Sequence, residues 1–186
     1  MRKLRAFFLM AVLFTASSTL LAQSTTDIAQ IINKFVSSNS TGGVGWNFFK
    51  ENSRVRRLDN NLESEGYQSK LRFASSLTMN GSPIFENEIG DAGMWDITLR
   101  GARVGAHLLN IDAFLIYKDP EEVIRYLTQK LAMRKTSIPS DHQYYDYSAI
   151  YSAKGSYILI SYSRGATGCG DISINVAKES NDLKGL

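Results

Sequence analysis

Cysteine is almost absent from this chain. Cys169 is the only one in 186 residues, so no disulfide can form within the protein. Packing alone must hold the fold together. Histidine is nearly as scarce, with His107 and His142 the only two, and they form no His-x-x-x-His pair. Cys-x-x-Cys pairs and acidic calcium loops are missing as well. Segment 59–65 is acidic but lacks the glycine and terminal glutamate at the spacing a calcium-binding loop needs. No metal site is expected. Cofactor motifs are equally thin. The loop Arg164-Gly165-Ala166-Thr167-Gly168-Cys169-Gly170 has the glycines of a phosphate cradle but not its Gly-Lys-Ser/Thr ending, and no helix follows it.

One long apolar run is present, and it lies at the start. Arg2, Lys3 and Arg5 precede the unbroken stretch Ala6–Phe14, and Thr15, Ser17, Ser18 and Thr19 follow. A bilayer-spanning helix needs roughly 20 apolar residues, so this stretch is too short for one. Basic start, apolar centre and small polar end read as a secretory signal peptide cleaved after Ala22, with cleavage after Ser18 as the alternative. Residues 23–186 are then expected to form one domain, secreted or periplasmic, without a transmembrane anchor. No cysteine near the cleavage site offers a lipid attachment point.

Removing that segment changes the charge balance. The chain carries 21 basic and 18 acidic residues, and Arg2, Lys3 and Arg5 account for the whole excess. A mature domain of zero net charge has no bulk attraction for nucleic acid, so no nucleic-acid partner is expected. A domain of this size can bury about 70% of its unfolded surface, enough to stand without a staple.

The pattern of apolar residues predicts α+β. Ile28, Ile31, Ile32, Phe35 and Val36 fall at helical spacing behind a cap at Thr26 or Asp27. Residues 47–64 read as partly helical, with the basic run Arg54–Arg57 on a solvent face. From Tyr67 the period becomes two, with Asn80-Gly81 as a hairpin turn and Pro83–Glu88 as a returning edge strand. Trp95, Ile97 and Leu99 alternate, and Val104–Tyr117 reads as one long strand. Asp119-Pro120-Glu121-Glu122 starts a second helix: a cap, a proline at the first helical position, and carboxylates at the positive end of the dipole. A tyrosine-rich hairpin turning at Lys154-Gly155 and a last strand Asp171–Ala177 complete the chain. Strands that cluster rather than alternate with helices imply a single, mainly antiparallel, curved sheet with two or three helices packed on one face.

Chemistry is sparse, and three readings of function follow. Tyr144, Tyr145, Tyr147, Tyr151, Tyr157 and Tyr162 are six of the nine tyrosines, and strand alternation sets Tyr145, Tyr147 and Tyr151 on one face. Tyrosine offers a flat apolar surface with a polar tip, the chemistry of contact surfaces. The leading expectation is therefore a non-catalytic exported binding domain. It would recognise a protein, glycan or small apolar ligand through Tyr145, Tyr147, Tyr151 and Arg164. The alternative is a cysteine-dependent hydrolase or transferase, in which His107 or His142 would draw the proton from Cys169. Asp171 beside the thiol works against that reading, since a neighbouring carboxylate disfavours thiolate. A third reading is a periplasmic lipid carrier, with the helical stripes closing over a cavity on the sheet. The carboxylates Glu86, Glu88, Asp91 and Asp96 crowd one segment, but edge strands carry such charges to prevent aggregation.

Overall fold

The computed structural model describes residues 28–38, 43–45, 48, 56–59, 74–81, 92–102, 105–116, 118–140, 143–165 and 168–186. For 56–59, 74–81, 92–94 and 102 it describes the backbone alone. The signal-peptide segment, the cap at Thr26 or Asp27, and His142 lie outside these residues.

The fold is α+β, with one open, curved antiparallel sheet and two α-helices. The elements are α1 (Ile28–Val36), β1 (Arg56–Asp59), β2 (Ala74–Gly81), β3 (Ala92–Ala102), β4 (Gly105–Ile116), α2 (Pro120–Leu131), β5 (Arg134–Lys135), β6 (Tyr147–Ala153), β7 (Ser156–Arg164) and β8 (Cys169–Ala177). A short 3-10 turn, η1 (Ser180–Leu183), follows the last strand. The order across the sheet is β1-β2-β3-β4-β8-β7-β6-β5. Every step joins strands consecutive in the chain except β4 to β8, between which the chain forms α2 and the strands β5–β7.

Two expectations change here. The stretch predicted as partly helical contains β1, whose backbone pairs with β2 through Arg56↔Thr78 and Arg57↔Leu77. A neighbouring strand edge outweighs the weak helical preference of a charged segment. Likewise Asn80 and Gly81 do not turn: they sit in the β2–β3 ladder opposite Asp96 and Trp95. By contrast, the Lys154-Gly155 turn is where the sequence puts it, with φ of 48° and 74°, the paired positive values of a type I′ hairpin.

Strand register sorts the side chains into cross-strand rows. On one face run Leu99–Leu109–Val176–Ile158–Tyr151, then Ile97–Ile111–Ile174–Ile160–Ala149, then Trp95–Ala113–Ile172–Tyr162–Tyr147. Most of these are buried, and both α-helices cover them. Ile28, Ile31, Ile32, Phe35 and Val36 of α1 join Val123, Tyr126, Leu127 and Leu131 of α2 in a single core with this face. The predicted helical stripes are thus spent on the sheet, each large side chain contributing about 1.5–3 kcal/mol by leaving water.

The opposite face has no α-helix among the described residues. Its cover is smaller: Leu183 of η1 packs with Ile150, Leu159 and Ala177, flanked by Leu108, Ile138, Tyr157 and Leu186. These residues lie toward the end of the sheet where β4 starts and β8 finishes. The same end is further closed by Val44, which exchanges two backbone hydrogen bonds of 2.7 Å with Ala106. Here α1 also terminates, and Lys178 donates to the Val36 carbonyl at 2.6 Å. Burial holds that ammonium below its usual range.

Candidate functional site

The tyrosine hairpin does not present the expected exposed face. Tyr147 and Tyr151 do share a face, but it is the one beneath the helices. Tyr151 is buried and its hydroxyl meets that of Tyr147 at 2.6 Å. Tyr147 stacks on Tyr162 with ring centroids 5.0 Å apart and planes 11° from parallel, and Lys135 lies over its ring at 5.2 Å. Burial pushes the Tyr151 phenol well above its ordinary range, and the Tyr147 hydroxyl adds to the effect. Tyr145 precedes β6 and is exposed. The hairpin is therefore divided, with one part packing into the core and another reaching solvent.

Arg164 connects the two parts. Its guanidinium lies 2.8 Å from Glu121 and 3.7 Å from Asp119, at the N-terminus of α2. It also lies over the Tyr162 ring at 5.3 Å, and the Tyr162 hydroxyl donates to Glu121 at 3.3 Å. Asp119 caps the helix by accepting from the Glu121 amide at 3.0 Å, as its position before Pro120 predicts. All three ion-pair partners are about half exposed. Solvent screens such pairs, which mainly fix geometry.

The catalytic pairing of Cys169 with His107 has no geometric support. Cys169 opens β8 opposite Ile116, the last residue of β4. His107 is near the first residue of the same strand, in the bulge between Ala106 (opposite Gly101) and Leu108 (opposite Arg100). At about 3.3 Å per strand residue the two are roughly 30 Å apart. Among the described residues no group of histidine, cysteine and carboxylate side chains could hold a metal. The glycine loop has a structural reason instead. A Cβ on Gly170 would lie 2.6 Å from the Ser163 carbonyl oxygen, and the Gly165 amide donates to the Cys169 carbonyl at 2.7 Å to close the β7–β8 connection.

What the structure does assemble is a surface at the open end of the sheet. The exposed large apolar side chains among the described residues are Phe114, Ile116, Tyr144 and Tyr145, and all four lie there. Phe114 and Ile116 come from the end of β4, which alternates buried and exposed from Ile111 onward. Register sets Phe114 beside Asp171, and Asp171 beside Ser163. Ser163 in turn reaches the Tyr144 carbonyl at 3.5 Å. Asp146 holds this segment in place: its amide donates to the Tyr162 carbonyl at 3.0 Å, and its carboxylate accepts from the Arg164 amide at 2.6 Å. From β4 across β8 and β7 to the segment before β6 is three strand spacings, about 14 Å.

One row further in, the same face turns polar. Asp96 faces Asp112 across β3–β4, and Asp112 leads on to Ser173, Ser161 and Ser148. Asn110 donates to Asp112 at 3.2 Å and to Asn175 at 3.1 Å, and Asn175 donates to Ser173 at 3.2 Å. Ser148 and Ser161 meet at 3.0 Å. Sequence reading found Tyr145 and Arg164 at this end. It missed Phe114 and Ile116, whose only sequence signal is two apolar residues on the polar face of an alternating strand, and read Asp171 only as a neighbour of Cys169. The chain matches no family model, no curated protein and no solved structure.

Proposed function

We propose that this protein is an exported, non-catalytic binding domain that engages a protein partner at the open end of its sheet. The observation that carries the reading is the segregation of Phe114, Ile116, Tyr144 and Tyr145 to that end. Exposed apolar side chains gathered among polar groups are how soluble proteins mark a contact site. Tyrosine and phenylalanine are the side chains that contact sites favour. The fold supplies a rigid base, because β4, β8 and β7 are the inner strands of the sheet. Export rests on the signal-peptide pattern of the first 22 residues. No helix among the described residues is long and apolar enough to cross a membrane.

Tyr145 and Arg164 stay in this site, while Tyr147 and Tyr151 support it from beneath α2. The test compares the mature protein with a Phe114→Ser/Tyr144→Ser double variant. Both should show the same thermal transition, since neither side chain is core. Capture of proteins from the producing organism's envelope or medium should yield a partner on the wild type that the variant loses. Equal capture by both would overturn the proposal.

A further inference from the structure

At the closed end, three lysines gather around the C-terminus of α1. Lys178 donates to the Val36 carbonyl, Lys154 to the Asn33 side chain and Lys34 to the Phe48 carbonyl. Every one of these acceptors is a neutral oxygen, and each ammonium has three donors to place. Among the described residues none of the three lysines forms an ion pair. Glu179 follows Lys178 in the chain and is exposed, and Asp182 belongs to η1, which packs on the opposite face of the sheet. The negative end of the helix dipole accounts for lysines here. It does not account for the serine that stands between them.

Ser156 opens β7, two residues after Lys154. Alternation puts it with Ile158 and Ile160 on the helix-covered face. The β7–β8 register runs to Tyr157↔Ala177, so Lys178 follows on the strand beside it. Ser156 is thus bracketed by two lysines that both reach the last turn of α1. It is 1% exposed, and its hydroxyl has no hydrogen-bond partner. A buried hydroxyl left unpaired is costly, and Ala153, its partner across the hairpin, shows that a methyl fits this layer. Lys178 is partly exposed and lies over the Phe35 ring at 5.9 Å, and its bond to Val36 uses one donor of three. Burial already disfavours its charged form, which a bound anion would relieve.

We infer that Ser156 and Lys178 are the two donors of a small oxyanion site beneath the last turn of α1, one that takes a carboxylate or phosphate group. The hydroxyl and the ammonium would each donate to an oxygen of the ion, while Lys154 and Lys34 add positive field. Lys178, the partly exposed member, marks the way in. This site stands apart from the binding surface proposed at the open end, and neither depends on the other.

The experiment places the mature protein in sodium chloride, sodium acetate or sodium phosphate at equal ionic strength and near neutral pH. The Lys178 side-chain NMR signal should move saturably with acetate or phosphate and stay still with chloride. At tenfold excess over Kd the melting temperature should rise by about 4 °C. Ser156→Ala should melt no lower than the wild type in chloride, having lost an unpaired hydroxyl. It should bind the anion about tenfold more weakly and keep little of the rise. Lys178→Met, similar in length but uncharged, should lose the rise altogether. Phosphate also strengthens burial in general, so the difference between variants is the quantity that counts. Equal rises in the wild type and both variants would overturn the inference, as would a Lys178 signal that follows chloride as well as acetate. A Ser156→Ala variant that melts lower in chloride yet keeps the full anion response would do the same, because the hydroxyl would then be holding a structural water.

Discussion

The two ends of the sheet are built from the same strands and treated in opposite ways. At the closed end, η1, the Val44 bridge and the terminus of α1 converge, and Leu183, Ile150, Leu159 and Ala177 lose nearly all contact with water. At the open end the same strands finish with Phe114, Ile116 and Asp171 exposed, and with a tyrosine segment held by backbone hydrogen bonds. One end spends its apolar residues on stability. The other keeps them available, and a domain without disulfides has little reason to do so unless that surface meets something.

The sharpest way to break this comparison is within the tyrosine hairpin, where one sequence feature serves both purposes. Tyr151→Ser should destabilise the protein by about 3 kcal/mol or more, because it empties an aromatic site under the helices. Tyr145→Ser should change stability by under about 0.5 kcal/mol, as exposed substitutions do. Denaturant midpoints measured on both variants decide it, and equal losses would dissolve the distinction between supporting and contact tyrosines.

A second pair asks the same of the aliphatic residues. Leu183→Ala should cost about 2 kcal/mol, at the low end for a buried leucine because its cluster is small. Ile116→Ala should cost almost nothing. If Ile116→Ala proved the more damaging, the open end would be core covered by some other part of the chain.

Much of this architecture was legible in the sequence. The α1 stripe, the Asp119-Pro120 helix start, the long fourth strand and the Lys154-Gly155 turn rest on local signals that tertiary packing reinforced. Asn80-Gly81 misled because a turn signal says what a dipeptide tolerates, and the β3 ladder offered it pairing partners. The site was harder. Alternation showed that Tyr147 and Tyr151 share a face but could not say which face the helices would cover, and Tyr145 left the strand before the pattern reached it. Asp171 became conspicuous only once register set it beside Phe114, which lies 57 positions earlier in the chain.

Alkaline titration separates the buried hydroxyls from the exposed ones. The Tyr151 phenol ionises above its ordinary value, so its contribution is complete below about pH 10 and is lost as pH rises further, where the unfolded chain ionises first. Tyr162, raised chiefly by burial, acts in the same direction. Lys178 acts against them: its folded value is lowered, so its unfavourable contribution eases as pH climbs toward the ordinary lysine value. The two tyrosines should prevail. The melting temperature should fall between about pH 10 and 11.5, and less steeply in Tyr151→Phe. Identical slopes would show that the buried phenol is not the group being titrated.

The smallest effects concern α2, a helix that begins at the open end and runs away from it. Its start is well made: Asp119 accepts the Glu121 amide, and Asp119→Ala should cost about 1 kcal/mol. Its finish is not. Ala132 adopts the left-handed conformation at φ 52°, while the amide of Met133 returns to the Thr128 carbonyl at 3.2 Å. Glycine is the residue that suits such a position, because a Cβ there crowds the backbone. Ala132→Gly should therefore stabilise the protein by up to about 1 kcal/mol, an unusual sign for a glycine substitution. The proposed binding surface, which meets only the N-terminal end of this helix, should be unchanged. A variant that gained stability yet lost the captured partner would mean that strain at Ala132 is transmitted along α2 to Glu121 and Arg164, and the two ends would no longer be independent.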